Sequence, residues 1–279
     1  MDIGITGNRG FIARHLSQHL NATGHQVHNL DPALAHESCE LPERLDAVFH
    51  LAASSNIQGA FDNPSSVLKN NLESLLQALQ ISKEKGGRFI FFSSYVYGHP
   101  TSSPITEDHP RNSLNPYMGS KLIGEDLAKE FCQWSEMELV TLRPFSIYGE
   151  GMRPGRLIGD LINQVREEKP IHLRSPEPVR DYLHVEDLCQ LCSNILETTL
   201  APNTDPAFNV GSGFQCSNLE LAELIHSLAG LTTKIKVDHV DRKGDVFEVI
   251  PALEKVTKTF SWKPKIGLEE GLKRMLGKP

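Results

Sequence analysis

The sequence predicts an α/β fold, in which a doubly wound parallel sheet is followed by a smaller C-terminal lobe. Three observations support this prediction: short apolar runs alternate with amphipathic stretches, a glycine-rich turn follows the first run, and the alternation becomes irregular after residue 148. Strands that alternate with helices build a parallel sheet with helices on both faces and right-handed crossovers. A chain of 279 residues is long enough for such a sheet and a second lobe.

The strands of the sheet are predicted where apolar runs are too short for helices and rich in Val, Ile and Phe. These runs are residues 2–6, 26–30, 47–51, 88–92 and 138–143. The amphipathic stretches between them predict helices at residues 11–21, 65–85 and 117–134. Asn63 and Pro64 supply a cap and a first-turn proline for the second of these helices, and Gly86 closes it.

The second half of the chain is predicted to form the smaller lobe. Loops rich in glycine and proline interrupt the alternation there, and a capping box at Ser217 starts a helix over Asn218–Ala229. We therefore divide the chain into a first domain at residues 1–147 and a lobe at residues 148–279. Part of the lobe, residues 181–210 or so, is expected to return to the main sheet.

Composition and charge exclude several classes of protein. The 28 Lys and Arg against 35 Asp and Glu leave a net charge of −7, which argues against a nucleic-acid-binding face. No apolar stretch approaches the roughly 18 residues of a membrane span, and the N-terminus lacks the pattern of a signal peptide. Five scattered cysteines form no disulfide framework, and His15 and His19 lack further ligands at metal spacing. We expect a soluble, cytoplasmic protein with no metal and no nucleic-acid or membrane partner.

The turn after the first strand has the spacing of a phosphate-binding loop. Gly7 permits the tight turn, Gly10 lets a pyrophosphate approach the backbone, and Ala13 is small enough for helix and strand to touch. The following helix offers amide groups and the positive end of its dipole to the phosphates. We expect a dinucleotide to bind here, with contacts from Gly7, Asn8, Arg9, Gly10, Phe11 and Ile12.

The choice between NAD and NADP depends on Asp31, which ends the second strand. A carboxylate at this place accepts hydrogen bonds from the adenosine ribose and repels a 2′-phosphate. Arg9 acts in the opposite direction, because a guanidinium beside the turn could hold that phosphate. The sequence therefore favours NAD and leaves NADP open.

Tyr117 and Lys121 are the candidate catalytic pair. They are four residues apart, which places them one turn apart on the same face of a helix. Tyrosine has an ordinary pKa near 10, and both a neighbouring ammonium and an oxidised nicotinamide favour its phenolate. Tyr117 can then accept a hydroxyl proton while a hydride leaves the same carbon, and Lys121 can also bind the nicotinamide ribose.

Two hydroxyl groups, those of Ser93 and Ser94, follow the fourth predicted strand. Ligands of open α/β sheets bind at the carboxyl ends of the strands. One of the two serines can therefore donate a hydrogen bond to the reacting oxygen and stabilise negative charge there.

With these motifs in place, the chain resembles the extended short-chain dehydrogenase/reductase family, and within it the NAD-dependent nucleotide-sugar epimerases, dehydratases and reductases. The matching motifs lie at residues 6–13, 50–53, 93–98, 115–125, 142–149, 180–185 and 242–245, in the family's order. The motif at 93–98 is one residue shorter than usual. Counting along the strand indicates Ser94, and counting back from Gly98 indicates Ser93. We prefer Ser94, because strand register is harder to shift than a loop.

The resemblance implies a Rossmann domain at residues 1–147, a substrate-binding lobe and roles for further residues. The cofactor would be lined by Leu51, Ala52, Ala53, Asn71 and Pro144. The substrate diphosphate would be held by Arg180 and Arg242, which suits the planar fork of arginine. Ser146 stands where relatives usually have an asparagine that touches the sugar diphosphate.

The resemblance also implies a function, nucleotide-sugar 4-epimerisation through a transient 4-keto intermediate. The alternative enzyme is an NAD(P)H-dependent reductase of nucleotide 4-keto sugars, and the alternative of another class is a non-catalytic dinucleotide-binding sensor or scaffold. Dehydration is disfavoured, because Tyr95 and Val96 follow Ser94 where the dehydratases carry an acidic pair. The family resemblance further predicts a homodimer that pairs through the helices at residues 65–85 and 117–134.

Overall fold

A computed structural model describes residues 1–31, 41–55, 57–201, 204–240 and 246–278. The strands are β1 (Asp2–Thr6), β2 (Gln26–Asn29), β3 (Ala47–His50), β4 (Arg88–Phe92), β5 (Leu139–Pro144), β6 (Ser146–Tyr148), β7 (His172–Leu173), β8 (Val179–His184), β9 (Ala207–Val210), β10 (Gln215–Ser217), β11 (Lys236–Val237) and β12 (Glu248–Val249). The helices are α1 (Phe11–Ala22), α2 (Ile57–Asp62), α3 (Pro64–Lys85), α4 (Pro116–Trp134), α5 (Leu157–Arg166), α6 (Val185–Glu197), α7 (Asn218–Ala229), α8 (Glu254–Phe260) and α9 (Leu268–Met275).

Six parallel strands form the main sheet in the order β2-β1-β3-β4-β5-β9. The order turns back at β1, which lies between β2 and β3, so the sheet is doubly wound. Its central strands are apolar on both sides, because helices cover both faces. One face packs against α1 and α6 and the other against α3 and α4. The predicted fold class is confirmed.

The predicted elements of the main sheet match the observed ones to within one residue at each end. The strand predicted at residues 138–143 is β5, at Leu139–Pro144, and the helix predicted at residues 65–85 is α3, at Pro64–Lys85. Asn63 caps α3 as predicted, since its side chain accepts a hydrogen bond from the Ser66 amide. These elements were predictable because local apolar periodicity and capping residues determine them.

The smaller lobe is built on a second sheet in the order β10-β8-β12, with β6 paired to β8. A second apolar core lies among α5, α7 and α9. The capping box predicted at Ser217 starts α7, and Gly230 ends that helix in a left-handed conformation. This lobe therefore has a core of its own beside that of the main sheet.

Residues 181–210 do not all return to the main sheet. α6 packs on α1 and β9 pairs with β5, but β8 belongs to the sheet of the lobe. A segment that was not expected to return, α8, also packs on β9 through Phe260 and Phe208, whose ring centroids are 4.8 Å apart. The division after residue 147 remains a proposal, and β6 crosses it.

No helix in the described part of the chain is long and apolar enough to cross a membrane. The four cysteines within the described residues are free thiols.

Candidate active site

The candidate site lies at the carboxyl edge of the main sheet, where β1, β3, β4 and β5 end side by side. The glycine-rich turn follows β1, the two candidate serines follow β4, and Pro144 is the buried last residue of β5. α4 carries Tyr117 and Lys121 past the end of β4. Parallel strands bring all these residues to one edge although up to about 140 residues separate them in the chain.

Gly7 makes the turn after β1. Its φ is +76°, and a Cβ atom would lie 2.7 Å from the backbone nitrogen of Ala52, so no larger residue fits. The Asp31 carboxylate spans the same turn, accepting hydrogen bonds from the amides of Gly7 at 2.6 Å and Asn8 at 2.9 Å. The two predicted parts of the adenosine site, the turn and the carboxylate, are therefore in direct contact.

The N-terminus of α1 has the form of an anion site. Gly10 is the N-cap and makes no side-chain capping hydrogen bond, so the first-turn amides, among them those of Phe11 and Ile12, point out of the helix. Gly10 itself has no room for a side chain, because a Cβ atom would lie 2.9 Å from the carbonyl oxygen of Gly7. Arg9 is exposed beside this turn. The turn fits the diphosphate of a dinucleotide.

A buried threonine holds the backbone that follows β3. The Thr6 hydroxyl accepts hydrogen bonds from the amides of Leu51 and Ala52, each at 3.2 Å, and lies 2.9 Å from Nδ1 of His50. His50 is fully buried and stacks on the rings of Phe89 and Phe91. The family motif at residues 50–53 is therefore a backbone surface fixed by side chains beneath it.

Asn71 connects this surface to the catalytic helix. Its Nδ2 donates a hydrogen bond to the hydroxyl of Ser120 at 2.8 Å, and its Oδ1 accepts one from the amide of Ser54 at 2.7 Å. Asn71 lies on α3, Ser120 on α4, and Ser54 in the loop after β3. Asn71 thus fixes the relative position of the three segments that surround the predicted nicotinamide end.

Tyr117 is placed by the first turn of α4. Asn115 caps the helix by accepting the amide of Met118 at 2.9 Å, which leaves Tyr117 in the first turn. The tyrosine is 9% exposed and packs with Val67 and with Ala53, a predicted cofactor contact.

The hydroxyl of Ser94 faces the phenol of Tyr117. Burial raises the pKa of Tyr117, whereas the charge of Arg156 and the interaction with the Ser94 hydroxyl lower it. The structure therefore brings together the predicted base and the serine that strand register favours.

Ser93 points elsewhere. Its hydroxyl donates a hydrogen bond of 2.5 Å to Oε1 of Glu125, inside the protein, and the side chain is 3% exposed. Of the two serines left open by the sequence, only Ser94 faces the phenol, and Ser93 belongs to the support beneath the site. Successive residues at a strand end point to opposite sides, which separates the two roles.

Lys121 is buried on the inner side of α4. Its Nζ donates a hydrogen bond of 2.7 Å to the carbonyl oxygen of Phe92 and lies 4.9 Å from the centre of the Phe91 ring. Burial lowers the pKa of Lys121 to about 7, and the negative charge of Glu125 acts against this shift. The charge of the lysine at neutral pH therefore depends on its surroundings.

The predicted substrate residues meet the site from the side of the lobe. Arg180 is the second residue of β8, and its Nη1 donates hydrogen bonds to the carbonyl oxygens of Val179 and Phe247. Burial raises the pKa of Tyr95, the residue after Ser94, to about 12, and the positive charge of Arg180 acts against this shift. Ser146 begins β6, which pairs with β8 at Tyr182. Arg242 lies outside the described residues.

Sequence reasoning missed Arg156 and Glu125. Arg156 is the exposed N-cap residue of α5, and its charge acts on Tyr117 although 39 positions separate the two residues. No local signal marks it, because its position depends on how the lobe folds back over the sheet. Glu125 could have been found from the sequence, because it lies four residues after Lys121 and therefore on the same face of the helix.

The fold and the site together define a dinucleotide-binding protein of the Rossmann type with a tyrosine–lysine–serine centre. The chain belongs to the NAD dependent epimerase/dehydratase family, whose model matches residues 3–211. This confirms the resemblance found in the sequence, and the family description names NAD, the cofactor that the sequence favours.

Individual relatives within this family carry out different reactions. The chain is 29% identical to the UDP-glucose 4-epimerase of Streptococcus mutans, over 95% of this chain and 92% of that protein. It is 30% identical to the GDP-6-deoxy-D-mannose reductase of Pseudomonas aeruginosa, over 98% and 95%. Among solved structures, the UDP-glucose 4-epimerase of Thermotoga maritima with UDP-glucose superposes with a TM-score of 0.89 at 26% identity, covering 99% of this chain and 98% of that one.

Proposed function

We propose that this protein is an NAD-dependent nucleotide-sugar 4-epimerase. The observation that carries the proposal is the juxtaposition of the Tyr117 phenol and the Ser94 hydroxyl at the carboxyl edge of the sheet, with Lys121 one turn along the same helix. A sugar hydroxyl between these two groups can give its proton to the phenol while it accepts a hydrogen bond from the serine. The similarity to 4-epimerases over nearly the whole chain supports the same reaction.

The proposed chemistry assigns each of the three side chains one task. Tyr117 accepts the proton of the sugar 4-hydroxyl and later returns it. Ser94 donates a hydrogen bond to the same oxygen and stabilises the charge that develops on it. Lys121 supplies a positive charge that favours the phenolate form of Tyr117. NAD, if held by the turn after β1, would supply a reversible hydride acceptor for C4 of the sugar.

Two arginines are proposed to hold the substrate diphosphate while the 4-keto sugar turns. The charge of Arg180 acts on Tyr95, the residue after Ser94, and a guanidinium binds phosphate through two parallel hydrogen bonds. Arg242 is proposed for the same task from its sequence motif, and Ser146 for a contact with the sugar diphosphate.

NAD is favoured over NADP by the position of Asp31. Its carboxylate is bonded to the turn that follows β1 and so fixes a negative charge where the adenosine ribose is expected. A 2′-phosphate there would face a like charge. The residues proposed to contact the cofactor are Gly7, Asn8, Arg9, Gly10, Phe11, Ile12, Asp31, Leu51, Ala52, Ala53, Asn71, Tyr117, Lys121 and Pro144.

A reductase of nucleotide 4-keto sugars is the second candidate. The 30% identity to the GDP-6-deoxy-D-mannose reductase over nearly the full chain favours it, and exposed Arg9 is placed to meet a 2′-phosphate. The same three catalytic side chains serve both reactions. The two functions differ in how the cofactor is handled, since an epimerase regenerates its NAD and a reductase consumes reduced cofactor.

The nucleotide released from the purified protein on denaturation distinguishes the two. We expect close to one NAD per chain, together with conversion of UDP-glucose or UDP-glucuronic acid into its 4-epimer without added cofactor. A protein that releases no nucleotide and oxidises NADPH in step with reduction of a nucleotide 4-keto sugar would establish the reductase instead.

We also propose a homodimer that pairs through α3 and α4. Each of these helices leaves a large apolar side chain on its outer surface, Leu76 at 43% and Ile123 at 45% exposure. A second copy of the chain would cover this surface. The sedimentation coefficient should be that of a dimer, and the double variant Leu76→Glu/Ile123→Glu should sediment as a monomer. A monomeric native protein would contradict the proposal.

A cytoplasmic location is proposed as well. Free thiols at the four described cysteines fit a reducing compartment. Cell fractionation should recover the protein with the soluble contents of the cytoplasm, and its recovery from a secreted fraction would refute this location.

A further inference from the structure

α4 is attached to the end of β4 by three contacts, made by the last two residues of the strand and the residue that follows it. The Phe91 ring lies against Gly124, where a Cβ atom would come within 2.9 Å of Cζ. The carbonyl oxygen of Phe92 accepts a hydrogen bond from the ammonium of Lys121. The next residue, Ser93, donates a hydrogen bond to the carboxylate of Glu125. These contacts fix the register of the catalytic helix on the strand.

Glu125 is the most highly bonded residue of this series. Its Oε1 accepts hydrogen bonds from Ser93 at 2.5 Å and from Nε of Arg143 at 2.9 Å. Its Oε2 accepts Nη2 of Arg143 at 2.7 Å and Nη1 of Arg111 at 3.3 Å. The carboxylate is 5% exposed, and so is the guanidinium of Arg143, so this is a buried ion pair. Burying two charges costs hydration free energy, and removing either partner leaves the other charge buried and uncompensated.

The Arg143 side chain extends the network away from the reacting atoms. Its Nη1 donates hydrogen bonds to the phenol of Tyr97 at 2.7 Å and to the carbonyl oxygen of Glu107 at 3.1 Å. Tyr97 in turn donates to Asn209 on β9 at 2.6 Å. Through Arg143, the carboxylate of Glu125 is therefore connected to β5, β9 and the loop after β4. It also accepts a hydrogen bond from Ser93 at the end of β4.

Among the described residues around Lys121, few besides Glu125 carry a charge that acts on the ammonium group. On α4 it lies between Tyr117 and Glu125, and from β3 it faces His50, whose pKa is lowered to about 3 by burial and by the lysine charge, so the imidazole is neutral. From β4 it meets only a carbonyl group and an aromatic ring. Arg156, at the start of α5, adds positive charge on the side of Tyr117. Glu125 is thus the negative group that acts on the lysine.

We propose that Glu125 is a positioning residue of the active site: its carboxylate fixes the end of β4 on the catalytic helix and is the counter-charge of Lys121. Through Ser93 it sets the direction in which the neighbouring Ser94 meets Tyr117. Through its charge it favours the ammonium form of Lys121, against the effect of burial. This inference rests on the proposed function for the role of Tyr117, but its main test requires no sugar substrate.

The main test is the titration of Lys121 itself, followed by NMR of protein labelled with carbon-13 at lysine Cε and assigned by the signal that is missing in Lys121→Met. In Glu125→Gln, which keeps an acceptor for Ser93 but loses the charge, we expect Lys121 to titrate about one pH unit lower than in the unsubstituted protein, because the negative charge that favours its ammonium form is gone. Glu125→Asp restores the charge and should restore most of the shift. The matched control is Asp126→Asn, the neighbouring exposed carboxylate that also binds Arg111, and it should leave the titration unchanged.

A merely structural role gives a different result. Glu125→Gln and Glu125→Asp would then both lower the melting temperature while Lys121 titrates as in the unsubstituted protein, and this would overturn the proposal. A 4-epimerase activity that is absent in every form, with the titration shifted as described, would instead refute the proposed function and leave the positioning role standing.

Ser93→Ala tests the second half of the proposal, also if Glu125→Gln fails to fold. It removes one hydrogen bond and keeps the ion pair of Glu125 with Arg143. We expect kcat to fall at least threefold with KM and NAD affinity within twofold of the unsubstituted protein. An unchanged kcat would show that Glu125 does not act through the end of β4.

Discussion

At the scale of single residues, two adjacent serines differ completely in what they touch. Ser94 faces the phenol of Tyr117, whereas Ser93 donates a hydrogen bond to Glu125 beneath it. The sequence narrowed the catalytic hydroxyl to these two residues, because a strand end in an open α/β sheet faces the ligand. The loop to Gly98 is one residue shorter than in relatives, so counting from its two ends gave different serines, and Ser94 was preferred because strand register is harder to shift than a loop. The backbone direction at the end of β4 favours the same residue.

Replacing the two serines should therefore have unequal effects. We expect Ser94→Ala to lower kcat about 100-fold, the usual effect of removing one hydrogen-bond donor from a developing oxyanion. NAD affinity should stay within twofold, since Ser94 is not among the proposed cofactor contacts. Steady-state kinetics at neutral pH measures this. A Ser93→Ala protein that loses more activity than Ser94→Ala would reverse the assignment.

Arg156 is the residue whose role depends most on tertiary structure. Its charge lowers the pKa of Tyr117 from the start of α5, against the effect of burial. Arg153, in the same loop, is also exposed and provides a matched control.

Arg156→Gln should move the pH dependence of kcat to higher pH, because the phenolate loses a favourable charge. At pH 7 we expect kcat to fall about threefold, the size of effect that one exposed charge has when water screens it. Raising the pH should recover the activity. Arg153→Gln should leave the pH profile in place, and an identical shift in both variants would show that only net charge matters.

At the scale of elements, the site depends on how closely α4 lies on β4. Gly124 allows this approach, because any side chain there would meet the Phe91 ring. The sequence predicted both elements and their order correctly, but it gave no sign of this contact. Helix periodicity shows which face is buried and not how near the neighbouring strand comes.

Gly124→Ala tests the close approach. A Cβ atom 2.9 Å from Cζ of Phe91 must push the helix or the ring aside, and overpacking of this kind costs about 1–3 kcal/mol. The melting temperature should fall, and kcat with it, as Tyr117 moves away from Ser94.

Gly119→Ala, on the same helix, is the control for this substitution. A Cβ atom there would lie 3.6 Å from the nearest side chain, an ordinary contact, and alanine favours a helix over glycine. This variant should melt at the same temperature as the native protein or above it. Equal losses of stability in the two variants would contradict the packing argument.

At the scale of the whole molecule, the main sheet was predictable and the lobe was less so. The strands of the main sheet are local apolar runs, and their parallel order follows from the alternation with helices. The lobe is joined by two-residue strands such as β7 and β11, which pair Lys236 with His172 across more than 60 positions. No local pattern encodes such a pairing. For the same reason the candidate site was predicted from its motifs, while Arg156 emerged only from the fold.

The stability of the whole protein should fall below neutral pH because of His50. Burial, and secondarily the charge of Lys121, lowers the pKa of His50 to about 3, whereas an unfolded chain binds a proton there near pH 6.5. The unfolded state thus binds more protons between these values, so stability is fully present above pH 6.5 and is lost as the pH falls. Between pH 7.5 and 5.5 this one group should remove about 1.4 kcal/mol.

Urea unfolding of the native protein and of His50→Gln measures this contribution. The variant should be less stable at pH 7.5, because it loses the stacking on Phe89 and Phe91, but its stability should fall less between pH 7.5 and 5.5. Equal slopes in the two proteins would show that His50 is not the group that titrates.

The most direct test of the account is whether the phenol of Tyr117 responds to the charge of a bound nicotinamide. The ultraviolet titration of Tyr117, isolated by difference from Tyr117→Phe, should be measured without cofactor, with NAD and with NADH. Burial should hold the pKa of Tyr117 above its usual value in the free protein, the positive ring of NAD should lower it, and the neutral ring of NADH should lower it much less. The same titration in all three states would mean that the phenol does not face the cofactor, and the assigned chemistry could not take place.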